Sequence, residues 1–315
     1  MPPQPQEDVR NGRKAKLSPT RDPGLLEPIN RFWQKSYAGD YLGIAILAIT
    51  LILLKAFDEP FHQLFILSDT RIQHPHAENQ QVDVFWLCIY ALGVPMIVLV
   101  LWNLVLKPNW HKLHVSLLGL ASSILITEFI TDVLKDAIGR PRPDLIARCQ
   151  PDPSTPKNEF VTIDVCTETR HHLLHDGWRS FPSGHSSFSF SGLGFLALFL
   201  AAQLHMFRPR ASVFTVLICL VPLMGAALIA ISRLEDYRHD VFDVTAGSIL
   251  GLSVALCNWR RYYPSPLSKY CDEPYDAPSG SRRASSVDGF QRVRDEEEGP
   301  EDDLGGGSSH RGTSR

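Results

Sequence analysis

VFWLCIYALGVPMIVLVLWNLVL, residues Val84–Leu106, runs 23 positions without one charged side chain. At about 1.5 Å of rise per residue, a helix of that length crosses the roughly 30 Å hydrocarbon core of a bilayer. Working outward, five more apolar stretches share the chain with it: Tyr41–Phe57, Leu113–Leu134, Phe188–Phe207, Ser212–Ile231 and Val241–Trp259. Six such runs are too many for a soluble core. Hydrocarbon offers the backbone no hydrogen-bond partner outside its own segment, so runs this long are expected to be helices. Lys55 interrupts the first near its end, where a lysine can extend its ammonium to the headgroups, and Asp243 lies near the start of the sixth.

Whole-chain averages hide this pattern. The net charge of -3 over 315 residues and the mean hydropathy of -0.06 would suit a soluble protein, because polar ends cancel an apolar middle. Residues 1–40 and 261–315, rich in Pro, Gly, Ser and charge, cannot build a core and are expected to be disordered cytosolic tails. Between them, residues 41–260 are expected to form one transmembrane domain. The fold class is therefore an all-α polytopic membrane protein with six spanning helices in a bundle. The first 40 residues contain no apolar core of a signal peptide, so the first helix is expected to act as its own insertion signal.

Basic residues near the helix ends set the orientation. Arg31 and Lys35 before the first run, Lys107 and Lys112 after the second, Arg208 and Arg210 after the fourth, and Arg260 and Arg261 after the sixth mark cytosolic flanks. The connections after runs one, three and five then face the lumen or the exterior. Cys149 and Cys166 both fall in the third connection, and either a disulfide or two free thiols fits the sequence. Cys88, Cys219 and Cys257 read as small hydrophobes within apolar runs, and Cys271 as a weak lipidation candidate in the tail. Ser285 follows Arg282-Arg283-Ala284 in a form that basophilic kinases accept, although a solvated linker is the favoured reading.

Three polar constellations lie at helix ends on the predicted non-cytosolic face. The first is KDAIGRPRP, with Lys135, Arg140 and Arg142 directly after the third run. Its Gly139, Pro141 and Pro143 stop the helix and fix the loop. The second is Phe181-Pro182-Ser183-Gly184-His185 at the start of the fourth run, where orphan N–H groups and the Ser183 hydroxyl can face an anion. Ser183 as a plain helix cap reads equally well for this segment alone. The third is SRLEDYRHDVFD, holding Ser232, Arg233, His239 and Asp243. His239 and Asp243 are four apart, so a helix would set imidazole and carboxylate on one face, and such a histidine can serve as a nucleophile. Several cations, a helix N-terminus and two histidines on one face together suit a tetrahedral oxyanion such as phosphate.

These residues resemble the type 2 phosphatidic acid phosphatase superfamily of lipid phosphate phosphatases. The resemblance rests on Lys135 with six residues before Arg142-Pro143, on Pro182-Ser183-Gly184-His185, and on Ser232-Arg233 with His239 and Asp243, and spans about residues 40–260. The longer string GRPRPDLIARCQP is most similar to the fungal and plant diacylglycerol pyrophosphate and phosphatidate phosphatases. The resemblance implies a metal-independent hydrolase with no cofactor, acting on phosphatidate, diacylglycerol pyrophosphate and related lipids through a phosphohistidine. It implies His239 as nucleophile, Asp243 as its orienting partner and His185 as acid. Lys135, Arg142, Ser183, Gly184 and Arg233 would bind the phosphoryl group, with Arg140 in reserve.

A catalytically inactive scaffold or lipid-binding relative is the alternative reading, and a haloperoxidase or a transporter ranks lower. The expected partners are membrane phospholipids and the bilayer itself, with no nucleic acid. Glu128 and Asp132 either tune the site or pair with neighbouring helices. His74 and His76, and likewise His171, His172 and His175, read as loop histidines more readily than as metal ligands, because no acidic or Cys partner stands at ligand spacing. The site is expected on the lumenal or extracellular face of a membrane whose organelle the residues do not specify.

Overall fold

The computed structural model describes Trp33 and residues 36–57 and 59–275. Most of both tails, including Ser285 and the basic residues before Trp33, lies outside the described residues. Among the described residues, six helices are long and apolar enough to cross a membrane. They are α1 (Ala38–Phe57), α2 (Val84–Leu106), α3 (Trp110–Ile138), α6 (Gly184–Gln203), α7 (Val213–Glu235) and α8 (Val241–Tyr262). Two short helices, α4 (Leu145–Cys149) and α5 (His171–His175), occupy the connection between α3 and α6.

Helix α6 is the central post, with 83% of its span buried, against 6% for α1 at the periphery. Its sequence explains the position. GHSSFSFSGLGFLALFLAAQ alternates small residues with Phe and Leu, and small side chains let neighbouring backbones approach where hydrocarbon gives no hydrophobic drive for helix association. A Cβ on Gly251 of α8 would sit 2.1 Å from the Ser187 carbonyl oxygen, and one on Gly247 would sit 2.5 Å from that of Ser183. On another side of α6, a Cβ on Gly192 would lie 1.8 Å from the Ala91 carbonyl oxygen of α2. Ala91 is four residues before Pro95, which has no N–H to offer it, and the helix there widens to a π turn over Ile89–Gly93. The α6 serines are satisfied locally or by α3: Ser187 Oγ lies 2.8 Å from Thr131 Oγ1, and Thr127 Oγ1 donates to Ser191 Oγ at 3.0 Å.

Five spans differ in extent from the hydropathy reading, and at two of their ends one reason explains it. Helix α6 begins at Gly184 rather than Phe188, and α3 runs to Ile138 beyond Leu134. The added turns carry Ser186, Ser187 and Lys135, polar side chains buried against protein. A hydropathy window scores them as if they faced lipid.

The connections on the α3 C-terminal side fold into a cap. Strands β1 (Phe65–Ile66) and β2 (Phe160–Val161) pair antiparallel, adding one short ladder to the mostly helical described residues. A disulfide joins Cys149 to Cys166, and Phe65, Ile72, Leu145, Cys149 and Trp178 form a small core of their own. Gly139 ends α3 in the left-handed conformation at φ 60°, where a Cβ would lie 1.7 Å from the Phe61 carbonyl oxygen. At the opposite end the chain stays on the bundle past α8. Tyr263 is buried with its hydroxyl 2.7 Å from Ser116 Oγ, the Tyr275 N–H donates to the Tyr262 carbonyl, and Cys271 is buried rather than presented for lipidation.

The close approach of α8 to α6 gives a direct test. Gly251→Ala must push the two helices apart and is expected to cost about 1–3 kcal/mol, lowering the thermal midpoint in detergent. Gly43→Ala on α1, where a Cβ would meet nothing within 4 Å, is expected to leave the midpoint in place.

Candidate active site

A cavity of about 550 Å³ opens where the cap meets the bundle, and Lys135, Arg142, Gly184, His185, Arg233 and His239 line it. Lys135 belongs to the last turn of α3, Gly184 and His185 to the first turn of α6, and Arg233 to the last turn of α7. Helix ends on one side of the bundle thus bring together residues about 100 positions apart. Ser183 and Asp243, also expected here, are fully buried and stand outside the cavity lining.

The imidazole of His239 is fixed through its Nδ1, 2.7 Å from the carbonyl oxygen of Ser180. A carbonyl only accepts, so Nδ1 carries the proton and the neutral ring has its lone pair on Nε2. Asp243 is 3.8 Å from Nδ1, too far for a hydrogen bond. Its carboxylate accepts instead from Arg140 at 2.6 Å, from Ser180 Oγ at 2.6 Å and from the Asp240 N–H at 2.9 Å. Asp243 therefore positions His239 largely through Ser180, the residue whose hydroxyl it holds and whose carbonyl holds the ring. Burial, opposed by the Asp243 carboxylate and aided by the Arg142 and Lys135 cations, pushes the His239 pKa down to about 3.

The second histidine, His185, has its Nε2 3.0 Å from the Val82 carbonyl oxygen, which leaves Nδ1 as the nitrogen that gains or loses a proton. Ser183 occupies the N-cap of α6, yet its hydroxyl makes no capping bond and accepts from Ser186 Oγ at 3.0 Å. Pro182 precedes the cap rather than occupying the first helical turn. The side chain of Lys135 runs beside Gly184, close enough that a Cβ there would be 3.5 Å from Lys135 Cε.

The cavity arginines Arg142 and Arg233 are held by acids that the sequence reading did not single out, whereas Lys135 donates from Nζ to the Arg179 carbonyl at 3.0 Å. Arg142 donates from Nε to the Asp176 carbonyl and from its guanidinium end to Asp176 Oδ1, both at 2.8 Å. Arg148 reaches Asp176 Oδ2 and Asp144 Oδ1 at 2.9 Å each, and Arg238 lies 3.7 Å from Asp176 Oδ2. Burial alone would raise the Asp176 pKa, but Arg142, Arg148, Lys135 and Arg238 together hold it below the usual carboxylate range. Burial among like charges brings Arg238 down to about 10 and lowers Arg142 as well. Arg233 is oriented by Asp236 at 2.9 Å, by Gln80 Oε1 at 2.8 Å and by the hydroxyl of Ser232. Asp176, Ser180 and Gln80 are single polar residues in loops, with no spacing pattern that would have exposed them.

Other expectations resolve differently. Arg140 is committed to Asp243 and to Asp240, the latter at 2.8 Å, and is absent from the cavity lining. Glu128 and Asp132 face Lys55 of α1 at 3.9 and 3.7 Å, and Asp132 also meets Arg179 at 3.5 Å, so they pair between helices. His74 stacks on Tyr237 while His76 bonds Asp144 at 2.6 Å, so the two histidines diverge.

A histidine buried neutral makes stability depend on pH in one direction. An unfolded imidazole titrates near its ordinary value of 6.5, and His239 in the folded chain near 3. The unfolded state therefore binds the extra proton first, so the contribution is whole above pH 6.5 and is lost progressively as pH falls toward 3. Thermal midpoints recorded from pH 7 to pH 4 are expected to fall, and to fall less steeply in His239→Asn.

Comparison with known proteins agrees with this geometry. The profile described as PAP2 superfamily matches residues 116–265. The chain is 40% identical over 243 residues to "Probable diacylglycerol pyrophosphate phosphatase 1" of Schizosaccharomyces pombe, covering 77% of this chain and 86% of the relative. It is 38% identical over 266 residues to diacylglycerol pyrophosphate phosphatase 1 of Saccharomyces cerevisiae, covering 82% and 92%. It is 38% identical over 230 residues to lipid phosphate phosphatase 2 of Arabidopsis thaliana, covering 72% and 77%. No solved structure matches the chain. With relatives this similar along most of their length, and with the three motifs gathered at one cavity, the chain belongs to the PAP2 superfamily.

Proposed function

We propose that this protein is a lipid phosphate phosphatase, hydrolysing phosphatidate, diacylglycerol pyrophosphate and related lipid phosphates through a phosphohistidine. The observation that carries the reading is the meeting of Lys135, Arg142, Gly184, His185, Arg233 and His239 around one cavity. The Nε2 lone pair of His239 attacks phosphorus, and the bond from phosphorus to the leaving oxygen breaks. His185, protonated at Nδ1, gives its proton to that oxygen. Diacylglycerol leaves when the substrate is phosphatidate, and phosphatidate leaves when it is diacylglycerol pyrophosphate. Water then attacks the phosphohistidine, His185 takes a proton from it, and inorganic phosphate departs with His239 restored. Lys135, Arg142, Arg233 and the N–H groups at the α6 N-terminus hold the phosphoryl oxygens and balance the charge that builds in the transition state. Ser183 and Asp243 act from behind, one at the helix start and the other through Ser180.

A lipid substrate suits the surroundings of the cavity. An apolar groove of about 750 Å³ runs between α2, α6 and α7, lined by Tyr90, Val98, Leu196, Leu200, Ile218 and Leu228 among others. Gln81, Val82 and Ser232 also line it, and their chain neighbours Gln80 and Arg233 line the charged cavity. Acyl chains can therefore stay in hydrocarbon while the headgroup reaches the cations. Two features support a lumenal or extracellular site. The basic flanks gather at the opposite ends of the helices, and the Cys149–Cys166 disulfide in the cap suits an oxidising compartment.

Phosphate release from phosphatidate and diacylglycerol pyrophosphate in detergent micelles with excess chelator is expected for the intact protein and to fall by several orders of magnitude in His239→Ala. Equal release from both proteins, or none from either, would transfer the case to the inactive-scaffold reading. Asp176→Asn removes the charge that anchors Arg142 and Arg148, and is expected to lower kcat/KM by about 10²-fold while the fold persists, as read from steady-state kinetics and the elution volume in size-exclusion chromatography.

A further inference from the structure

In the cap, outside the lining of the phosphate cavity, the fold assembles a second cluster of ligand-type side chains. Helix α5 reads HHLLH, so His171 and His175, four apart, point from one face and their rings stack at a centroid distance of 3.9 Å. Glu59 arrives from the connection after α1, 112 positions earlier, and places its Oε1 3.1 Å from His171 Nε2. One ligand atom from each of Glu59, His171 and His175 falls within 4.8 Å of the other two. His62, from the same connection as Glu59, lies with its Nε2 2.9 Å from His175 Nδ1. Its own ring packs edge-on against Trp178, which is fully buried.

From this arrangement we propose that Glu59, His171 and His175 bind a divalent transition ion, with Zn²⁺ the best fit. Two imidazoles and one carboxylate are the donor set of many three-ligand zinc sites, whose fourth position is left to water. Mg²⁺ and Ca²⁺, which take oxygen ligands, are poorly served by it. A tetrahedral ion with bonds of about 2.0–2.1 Å needs donors roughly 3.4 Å apart. The exposed Glu59 and His171 side chains can close that difference by small rotations. His62 supplies what lone loop histidines lack, a partner on the far ring nitrogen of a ligand. With His175 Nδ1 held by His62, its Nε2 is the nitrogen turned to the ion, and the His62 ring that holds it is itself packed edge-on against the buried Trp178.

The ion has a structural role, and its position says which. Glu59 and His62 belong to the α1–α2 connection, whereas α5 leads directly into Asp176. Leu173 of α5 receives an Arg148 guanidinium at its carbonyl, and Asp176 anchors both Arg142 and Arg148. An ion bridging Glu59 to α5 pins the outer wall of the phosphate cavity to the neighbouring connection. It adds rigidity to the Arg142 and Arg148 supports and takes no part in phosphoryl transfer.

The test uses the full chain in detergent, stripped of metal with chelator and dialysed. Zn²⁺ alone is then titrated by calorimetry, and thermal midpoints are compared with and without it. One Zn²⁺ per chain, a raised midpoint, and affinity at least about tenfold weaker in His171→Ala and in Glu59→Gln are expected. His172→Ala, the adjacent histidine outside the cluster, is expected to keep wild-type affinity. Both cluster substitutions are at exposed positions, and Co²⁺ added to the unaltered protein gives a second measurement, a visible absorption band of a tetrahedral site. Absence of stoichiometric Zn²⁺ binding by the wild-type chain, or affinity unchanged in both His171→Ala and Glu59→Gln, would overturn the proposal. The readout is binding and stability, so it stands or falls separately from the phosphatase reading.

Discussion

The carboxylate of Asp243 is the point on which the candidate site depends. It is fully buried in the first turn of a membrane-spanning helix, where an uncompensated charge would be costly. Its compensation comes from all three polar segments: Arg140 from the loop after α3, Ser180 from the approach to α6, and the Asp240 N–H of its own turn. The Ser183 N–H also donates to the Asp243 main-chain carbonyl at 3.0 Å. Satisfying one buried acid therefore draws the three segments together, and the imidazole of His239 is held as a consequence through the carbonyl of Ser180. Breaking any of these bonds would leave a buried charge short of partners, which is worse than losing one surface contact.

Around that hub, charge is arranged before any substrate arrives. Arg142 and Arg148 share Asp176, and Arg233 has Asp236 and Gln80. Such partners fix the guanidinium planes, so little reorganisation is needed when a phosphoryl group enters. They do not cancel the cations completely, since Arg142, Arg148 and Arg238 share two carboxylates, Asp176 and the Asp144 that also meets Arg148. His239 stays neutral in this positive surrounding because burial and the nearby cations disfavour its protonated form. A neutral imidazole beside fixed cations suits the nucleophilic role proposed for His239 in attack on a phosphate anion.

Packing makes the arrangement rigid. Gly247 and Gly251 let α8 lie against the Ser183 and Ser187 carbonyls, so the helix start that faces the cavity and the helix that carries Asp243 are set by backbone contact rather than by flexible side chains. Gly139 turns the chain at the end of α3 in a conformation and a space that admit no side chain, which directs Arg140 and Arg142 into the cap. The cap adds its own small core around Trp178 and the Cys149–Cys166 disulfide, and from there α5 and Asp176 reach the cavity.

The six spans were legible in the sequence because hydrophobic length is a local property: each run carries its own evidence of crossing a membrane. The three motifs were legible for a similar reason, since Lys135 to Arg142, Pro182 to His185 and Ser232 to Asp243 each keep fixed spacing within one short stretch. What the sequence could not carry were relations across the chain. Asp176 reads as one acid in a polar loop until Arg142 and Arg148 meet it. Ser180 has no spacing to mark it, and Arg140 looks like a phosphate ligand until Asp243 claims it. Glu59 stands 112 positions from His171, so no ligand spacing links them. Local composition and periodicity thus determined the membrane class and the reactive segments, whereas only the tertiary structure decided which charge answers which, because pairing energy depends on distance in space and not on distance along the chain.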